Sequence, residues 1–168
     1  MSQNQAVLVA FGDDHPGILD DISQFVLAHE AAVLEVSVNN LRAQFTLLML
    51  LQAPGDALDR LSDDLPRLAE KARIQAELRP AAESDVPLSH TYLLDVEAAN
   101  GGKLLQQVGN LMRVLGINIG DVEQRDDGGS MRLRLVLQIG RQTPVMKLRE
   151  LLEQLLQPME AHWDLRLA

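Results

Sequence analysis

A chain of 168 residues, 46% hydrophobic and 23% charged, has the composition of a globular protein and can bury a core without covalent staples. It has no cysteine, which excludes disulfides, thiolate metal sites and a cysteine nucleophile, and suits a reducing compartment. A net charge of −9 with no basic stripe argues against direct nucleic-acid binding. The strongest apolar run, Phe45 to Leu51, is too short for a membrane-spanning helix and no basic leader precedes it, so a cytoplasmic protein without membrane contact is expected.

Val7 to Phe11 is a short apolar run stopped by Gly12 and reads as a buried strand. Pro16 then opens a helix, at the position where proline costs no hydrogen bond, and Ile18, Ile22, Phe25, Val26 and His29 keep the spacing of one half-buried face. Val33 to Val38 alternates as a strand, Asn39 to Arg42 is a polar turn, and Phe45 to Leu51 is the next strand. Past Pro54-Gly55 a second helix covers about Asp56 to Lys71, with Pro66 as a kink or an early stop. Ile74, Ala76 and Leu78 alternate as a closing strand.

The same order then recurs. Thr91 to Val96 reads as a strand, Gly102 to Leu115 as a helix, and Asn118 to Glu123 as a strand. Asp126 to Gly129 has hairpin-turn chemistry, Met131 to Ile139 is a strand, and Pro144 begins the last helix. Trp163, Leu165 and Leu167 close the second sheet. A constant offset of 86 residues places Ile18, Ile22 and Val26 on Leu104, Val108 and Met112, and Leu47, Met49 and Leu51 on Leu133, Leu135 and Leu137. The chain is thus an α+β tandem of two ferredoxin-like βαββαβ domains, 1–79 and 90–168, joined by a linker 80–89. Each is expected to be a four-stranded antiparallel sheet with its helices on one face.

The two sheets differ. Met131, Leu133, Leu135, Leu137 and Ile139 alternate with Arg132, Arg134, Val136 and Gln138, giving one dry and one mostly wet face. Phe45 to Leu51 is apolar on both faces, which predicts a second domain or another chain against the face the helices leave open.

The sharpest local signal is Gly12-Asp13-Asp14-His15-Pro16-Gly17, between strand and helix. A helix N-terminus offers unpaired N–H groups to a carboxylate, an aspartate beside it suits an ammonium group, and a glycine admits a ligand close to the backbone. Together these features fit a free amino acid. The plainer alternative is an ordinary turn, with Asp13 or Asp14 as cap and Pro16 as starter, and the motif in isolation favours it. His15, His29, His90 and His162 lack metal-ligand spacing, and His29 reads as a packing residue. Asp20-Asp21 and Asp63-Asp64 sit on helices with adjacent side chains pointing apart, so no acid/base pair is expected. No phosphate-loop, dinucleotide or nucleophile-elbow motif occurs, and neither catalysis nor a cofactor is expected.

The run VLVAFGDDHPGILDDISQFVLAHEAAVLEVSVNN, followed by FTLLMLL, resembles an ACT domain, an amino-acid-sensing module with an Asp-x-Pro-Gly turn after its first strand. The second half resembles a more diverged copy. Tandem pairs of this length are similar to the glycine cleavage system transcriptional repressor family and to the N-terminal regulatory region of bacterial phosphoserine phosphatases. The resemblance implies a regulator binding glycine or serine, dimeric, with a regulator or enzyme as protein partner. Its implied ligand residues are Asp14, His15, Gly17 and Ile18 in the first turn, with Gly116 and Asn118 as a facing wall. Asn100 falls where the first half has Asp14, but Lys103 stands at the place of Gly17 and no proline follows Asn100, so one ligand per pair is expected. The Asp-x-Asp nucleophile motif of the phosphatases is missing. Met1 at the start and a closing strand at the end are expected of a self-contained regulator; a phosphatase fragment and a ligand-free dimerisation domain are the alternatives.

Overall fold

The computed structural model describes residues 3–81, 89–99 and 102–168. The chain divides into two compact units, Met1–Ser84 and Asp85–Ala168. In the first, β1 (Gln3–Asp13), α1 (Ile18–Ala28), β2 (Ala32–Leu41), β3 (Gln44–Pro54), α2 (Ala57–Ala72) and β4 (Ile74–Pro80) follow in sequence. In the second, β5 (Ser89–Ala98), α3 (Leu104–Val114), β6 (Asn118–Asp126), β7 (Met131–Gly140), α4 (Val145–Leu156) and β8 (His162–Leu167) do the same. The antiparallel sheets have strand orders β2-β3-β1-β4 and β6-β7-β5-β8, the ferredoxin-like arrangement twice.

Each unit owns its core. Leu8, Met49 and Leu51 of the first sheet pack with Ile22 and Val26 of α1 and Leu61 and Leu65 of α2. Leu94, Leu135 and Leu137 pack in the second unit with Val108 and Met112 of α3 and Leu152 of α4. The 86-residue offset survives in fine detail. Leu8 pairs with Met49 as Leu94 pairs with Leu135. The irregularity between Val33 and Glu35 recurs between Ile119 and Asp121. Ala31 N bonds Val26 O at the exit of α1 as Ile117 N bonds Met112 O at the exit of α3. After α4 a single 3-10 turn, Gln157–Met159, intervenes, and β8 pairs one residue out of that offset, Leu94 with Leu165 where Leu8 pairs with Leu78.

Several boundaries move from those the sequence predicts. β1 extends from Gln3 to Asp13, because its partners β3 and β4 continue the ladder past the apolar run. α1 begins at Ile18 with Gly17 as its N-cap, so Pro16 lies ahead of the helix, and no aspartate side chain caps it. α2 passes through Pro66 to Ala72, because Leu61, Leu65 and Leu68 hold one continuous face in the core. Of the expected linker, Pro80 lies in β4 and Ser89 in β5, and Pro87 is outside the described residues. Among the described residues no helix is long and apolar enough to cross a membrane.

Candidate functional site

β1 delivers the turn that the sequence singles out. Gly12 sits opposite Ile74 in the sheet, where an added Cβ would lie 3.0 Å from the Arg73 carbonyl oxygen and 3.1 Å from Ile74 Cα. Only a residue without a side chain lets the end of β1 run this close to the α2–β4 junction. The turn is then fixed by bonds to segments far away in sequence. Asp14 N–H donates to Ala43 O at 2.9 Å, and Asn40 Nδ2 donates to Asp14 Oδ2 at 3.0 Å. Gln44 Nε2 donates to Asp13 Oδ1 at 2.8 Å. The β2–β3 hairpin thus orients both carboxylates of the turn. Asn40, which the motif reading missed, is the residue that aims Asp14; the sequence places it in a polar turn from Asn39 to Arg42, but β2 runs on to Leu41 and pairs Asn40 with Phe45.

His15 bridges in the other direction. Its Nε2 lies 2.9 Å from Ala72 O, at the end of α2, and its Nδ1 lies 3.2 Å from Pro16 O. These carbonyls hold the imidazole pKa above its ordinary value, Ala72 O most strongly and Pro16 O next, against a lowering by partial burial and by Arg73.

Gly17 has φ +94°, a conformation that L side chains rarely adopt, and the space its Cβ would fill is open to 4 Å. The first intrahelical bond beyond it runs from Asp21 N to Gly17 O. Of the preceding N–H groups, which have no intrahelical acceptor, that of Ile18 turns back to His15 O at 3.4 Å, and Gly17 brings no side-chain cap to the others. The acidic residues of the first turn are tied elsewhere, Asp20 to Gln24 Nε2 at 2.7 Å and Asp21 to Lys71 Nζ at 2.7 Å. Ile18, also among the expected ligand residues, turns its side chain into the core, so only its main chain faces the turn.

Of the remaining candidates, Asn100 lies outside the described residues. Lys103, the counterpart of Gly17, caps α3 with φ −109°, so the second turn does not repeat the left-handed residue of the first. Gly116, φ +65°, ends α3, and its N–H bonds Arg113 O at 3.2 Å, an exit conformation in which glycine is favoured. Asn118 begins β6, its Nδ2 donating to Gln138 Oε1 at 2.9 Å. His29 packs on Phe25, with ring centroids 4.4 Å apart, and its ring nitrogens meet Phe25 O at 2.8 Å and Asp64 Oδ2 at 3.2 Å.

The open face of the second sheet carries a shallow depression of about 570 Å³ lined by Asp95, Glu97, Glu123, Arg132 and Arg134 among others. Its charges satisfy one another: Arg134 Nε meets Asp95 at 2.6 Å and Arg166 meets the same carboxylate at 2.8 Å. The hydrogen bond from Arg134 is the main cause of the lowered Asp95 pKa. This face is a solvated ion-pair network.

Comparison with known proteins shows what the chain is similar to. The family model of the ACT domain matches residues 4–79. The glycine cleavage system transcriptional repressors of Escherichia coli strain K12 and of Shigella flexneri are each 26% identical over 125 residues. Those matches take in 74% of this chain and 66% of the relatives, just under two thirds of their length. A solved candidate glycine cleavage system transcriptional repressor superposes with a TM-score of 0.82 at 17% identity, over 100% of this chain and 99% of that one. A crystal structure of a protein from Galdieria sulphuraria gives 0.82 at 19% identity, over 99% of both chains. At these identities the two structures speak for the fold alone.

Proposed function

With residues 4–79 an ACT domain and the second half folded as another βαββαβ unit, we propose that the chain is a cytoplasmic amino-acid-sensing regulator without catalysis of its own. It binds a small amino acid such as glycine or serine at the β1–α1 turn and acts through contacts with a protein partner. The observation that carries this reading is Gly17, whose left-handed backbone and open Cβ space leave a helix N-terminus without a side-chain cap beside an oriented carboxylate. The α-carboxylate of the ligand sits on the N–H groups and positive end of α1. Its α-ammonium group meets Asp14, which is exposed and held by Asn40 on one oxygen. The description of the relatives as transcriptional repressors, with a net charge of −9 here, supports an effect on transcription exerted through another protein.

Calorimetric titration with glycine, serine and the other amino acids tests the reading, on the wild type and on Asp14→Ala and Asn40→Ala. One small amino acid is expected to bind, with affinity falling about tenfold or more in Asp14→Ala and less in Asn40→Ala, since a hydrogen bond to a charged group contributes about 1.5–3 kcal/mol. Heat from no amino acid, or binding unchanged by Asp14→Ala in a folded variant, removes it. Asn118→Ala tests the part assigned to Gly116 and Asn118: unchanged affinity takes the second unit out of the ligand set.

A further inference from the structure

The helices cover one face of the first sheet, and the residues of its other face can be read row by row from the strand register. One row runs Glu35, Leu50, Val7, Arg79 from β2 through β3 and β1 to β4. The next runs Ser37, Leu48, Val9, Glu77, and the third Asn39, Thr46, Phe11, Gln75. The two central strands therefore present a stripe of Val7, Val9, Phe11, Leu48 and Leu50, and the two outer strands a polar rim. Leu48 is 54% exposed and Phe11 46%.

The second unit supplies an internal control. At the 86-residue offset, Val9 and Leu48 become Asp95 and Arg134, which face each other across the same two strands in an ion pair of 2.6 Å. Phe11 and Thr46 become Glu97 and Arg132, also cross-strand partners. The fold therefore accepts charged pairs at these positions. The apolar stripe of the first unit is not demanded by folding, and exposing it to water is unfavourable.

We infer that this face is a self-association surface that seats the same face of a second copy, related by a two-fold axis lying between the sheets and running along the strands. Stacked sheets pack with aligned strands about 10 Å apart, and an isologous contact must be self-complementary. The rows meet that condition. A rotation about the strand direction keeps each row at its height and exchanges its ends, so β4 of one copy lies over β2 of the other. Arg79, which pairs with Glu77 of its own chain at 2.9 Å, then also faces Glu35 of the second copy, Glu77 faces Ser37, and Gln75 faces Asn39, while the apolar stripes meet in the centre. An axis across the strands would set each outer strand over its own copy and leave Glu35 without a basic residue opposite, since β2 offers only Glu35, Ser37 and Asn39 on this face. The contact does not depend on amino-acid binding.

Sedimentation velocity over a concentration series tests the proposal on the full chain, using the wild type, Leu48→Glu, Glu35→Arg, Arg79→Glu and the double charge exchange. The wild type is expected to dimerise and Leu48→Glu to be monomeric with unchanged circular dichroism; Leu48→Thr, which keeps strand propensity, replaces it if the glutamate variant misfolds. Each single charge reversal is expected to weaken the dimer about fivefold or more at low salt, and the double exchange to recover most of the loss. A monomeric wild type overturns the proposal, as does a dimer indifferent to Leu48. Sensitivity to Leu48 without rescue by the double exchange overturns the two-fold arrangement. A stripe covered by a different protein, or by the other unit of the same chain, shows itself as a monomer in this experiment.

Discussion

His15 has a carbonyl oxygen beside each ring nitrogen, Ala72 O at 2.9 Å and Pro16 O at 3.2 Å. A neutral imidazole has one N–H and donates to one of them; the imidazolium donates to both. The folded pKa is accordingly raised above 6.5 by Ala72 O first and Pro16 O second. Because it is raised, the stabilisation is fully present below the unfolded value and is lost as pH rises through the folded one. Arg73 works against the protonated form and Asp21 with it. Thermal melts of wild type and His15→Ala across pH 5 to 8.5 should therefore show the difference in midpoint shrinking as pH rises. A constant difference sinks the clamp. The histidine was visible in the sequence as part of a motif, but its acceptor lies 57 positions away and no local pattern points to it.

Elements ended where tertiary partners allowed. α1 leaves through Glu30, which adopts φ +57°, while its counterpart in the second unit, Gly116, reaches φ +65° as glycine. A left-handed non-glycine residue costs about 1 kcal/mol, so Glu30→Gly should stabilise the protein by about 0.5–1 kcal/mol in urea unfolding. Glu30 is exposed and its ion pair with Arg60, at 3.5 Å, is too solvated to offset much of that gain. An unchanged or lower midpoint would count against the strain. Pro66 makes the opposite point. Sequence reasoning allowed a stop there, yet the buried leucines on either side keep α2 helical to Ala72. At β2 every residue is exposed, although the alternation of Val33 to Val38 resembles that of a half-buried strand. An edge position leaves it with one neighbouring strand, and periodicity does not reveal which strand lies at an edge.

At the scale of the whole chain, two cores with no common member divide the stabilising contacts between two units. Leu8 and Leu94 are structural counterparts, both fully buried at the centre of their sheets. Leu8→Ala and Leu94→Ala are each expected to cost about 2–5 kcal/mol. The double variant should be additive within about 0.5 kcal/mol, because the residues share no partner. A larger coupling in chemical denaturation would show that the cores are energetically linked. The two sheets otherwise divide by chemistry on their open faces, the first apolar along Val9 and Leu48, the second ionic along Asp95 and Arg134.

By itself the sequence determined the order of elements, the duplication at a fixed offset, and the wet face of the second sheet. These follow from apolar spacing within single helices and strands, which is local and repeats along the chain. Its double-sided apolar strand also marked the first sheet as the one with an apolar open face. Tertiary structure alone decided the rest: that Asn40 aims Asp14, that Ala72 receives His15, and that Glu35 and Arg79 end the same row. Each of those depends on the register between strands or on the docking of α2, which brings together residues from 26 to 57 positions apart. Such pairings are set by the cooperative packing of a whole unit, and no window of the sequence contains them.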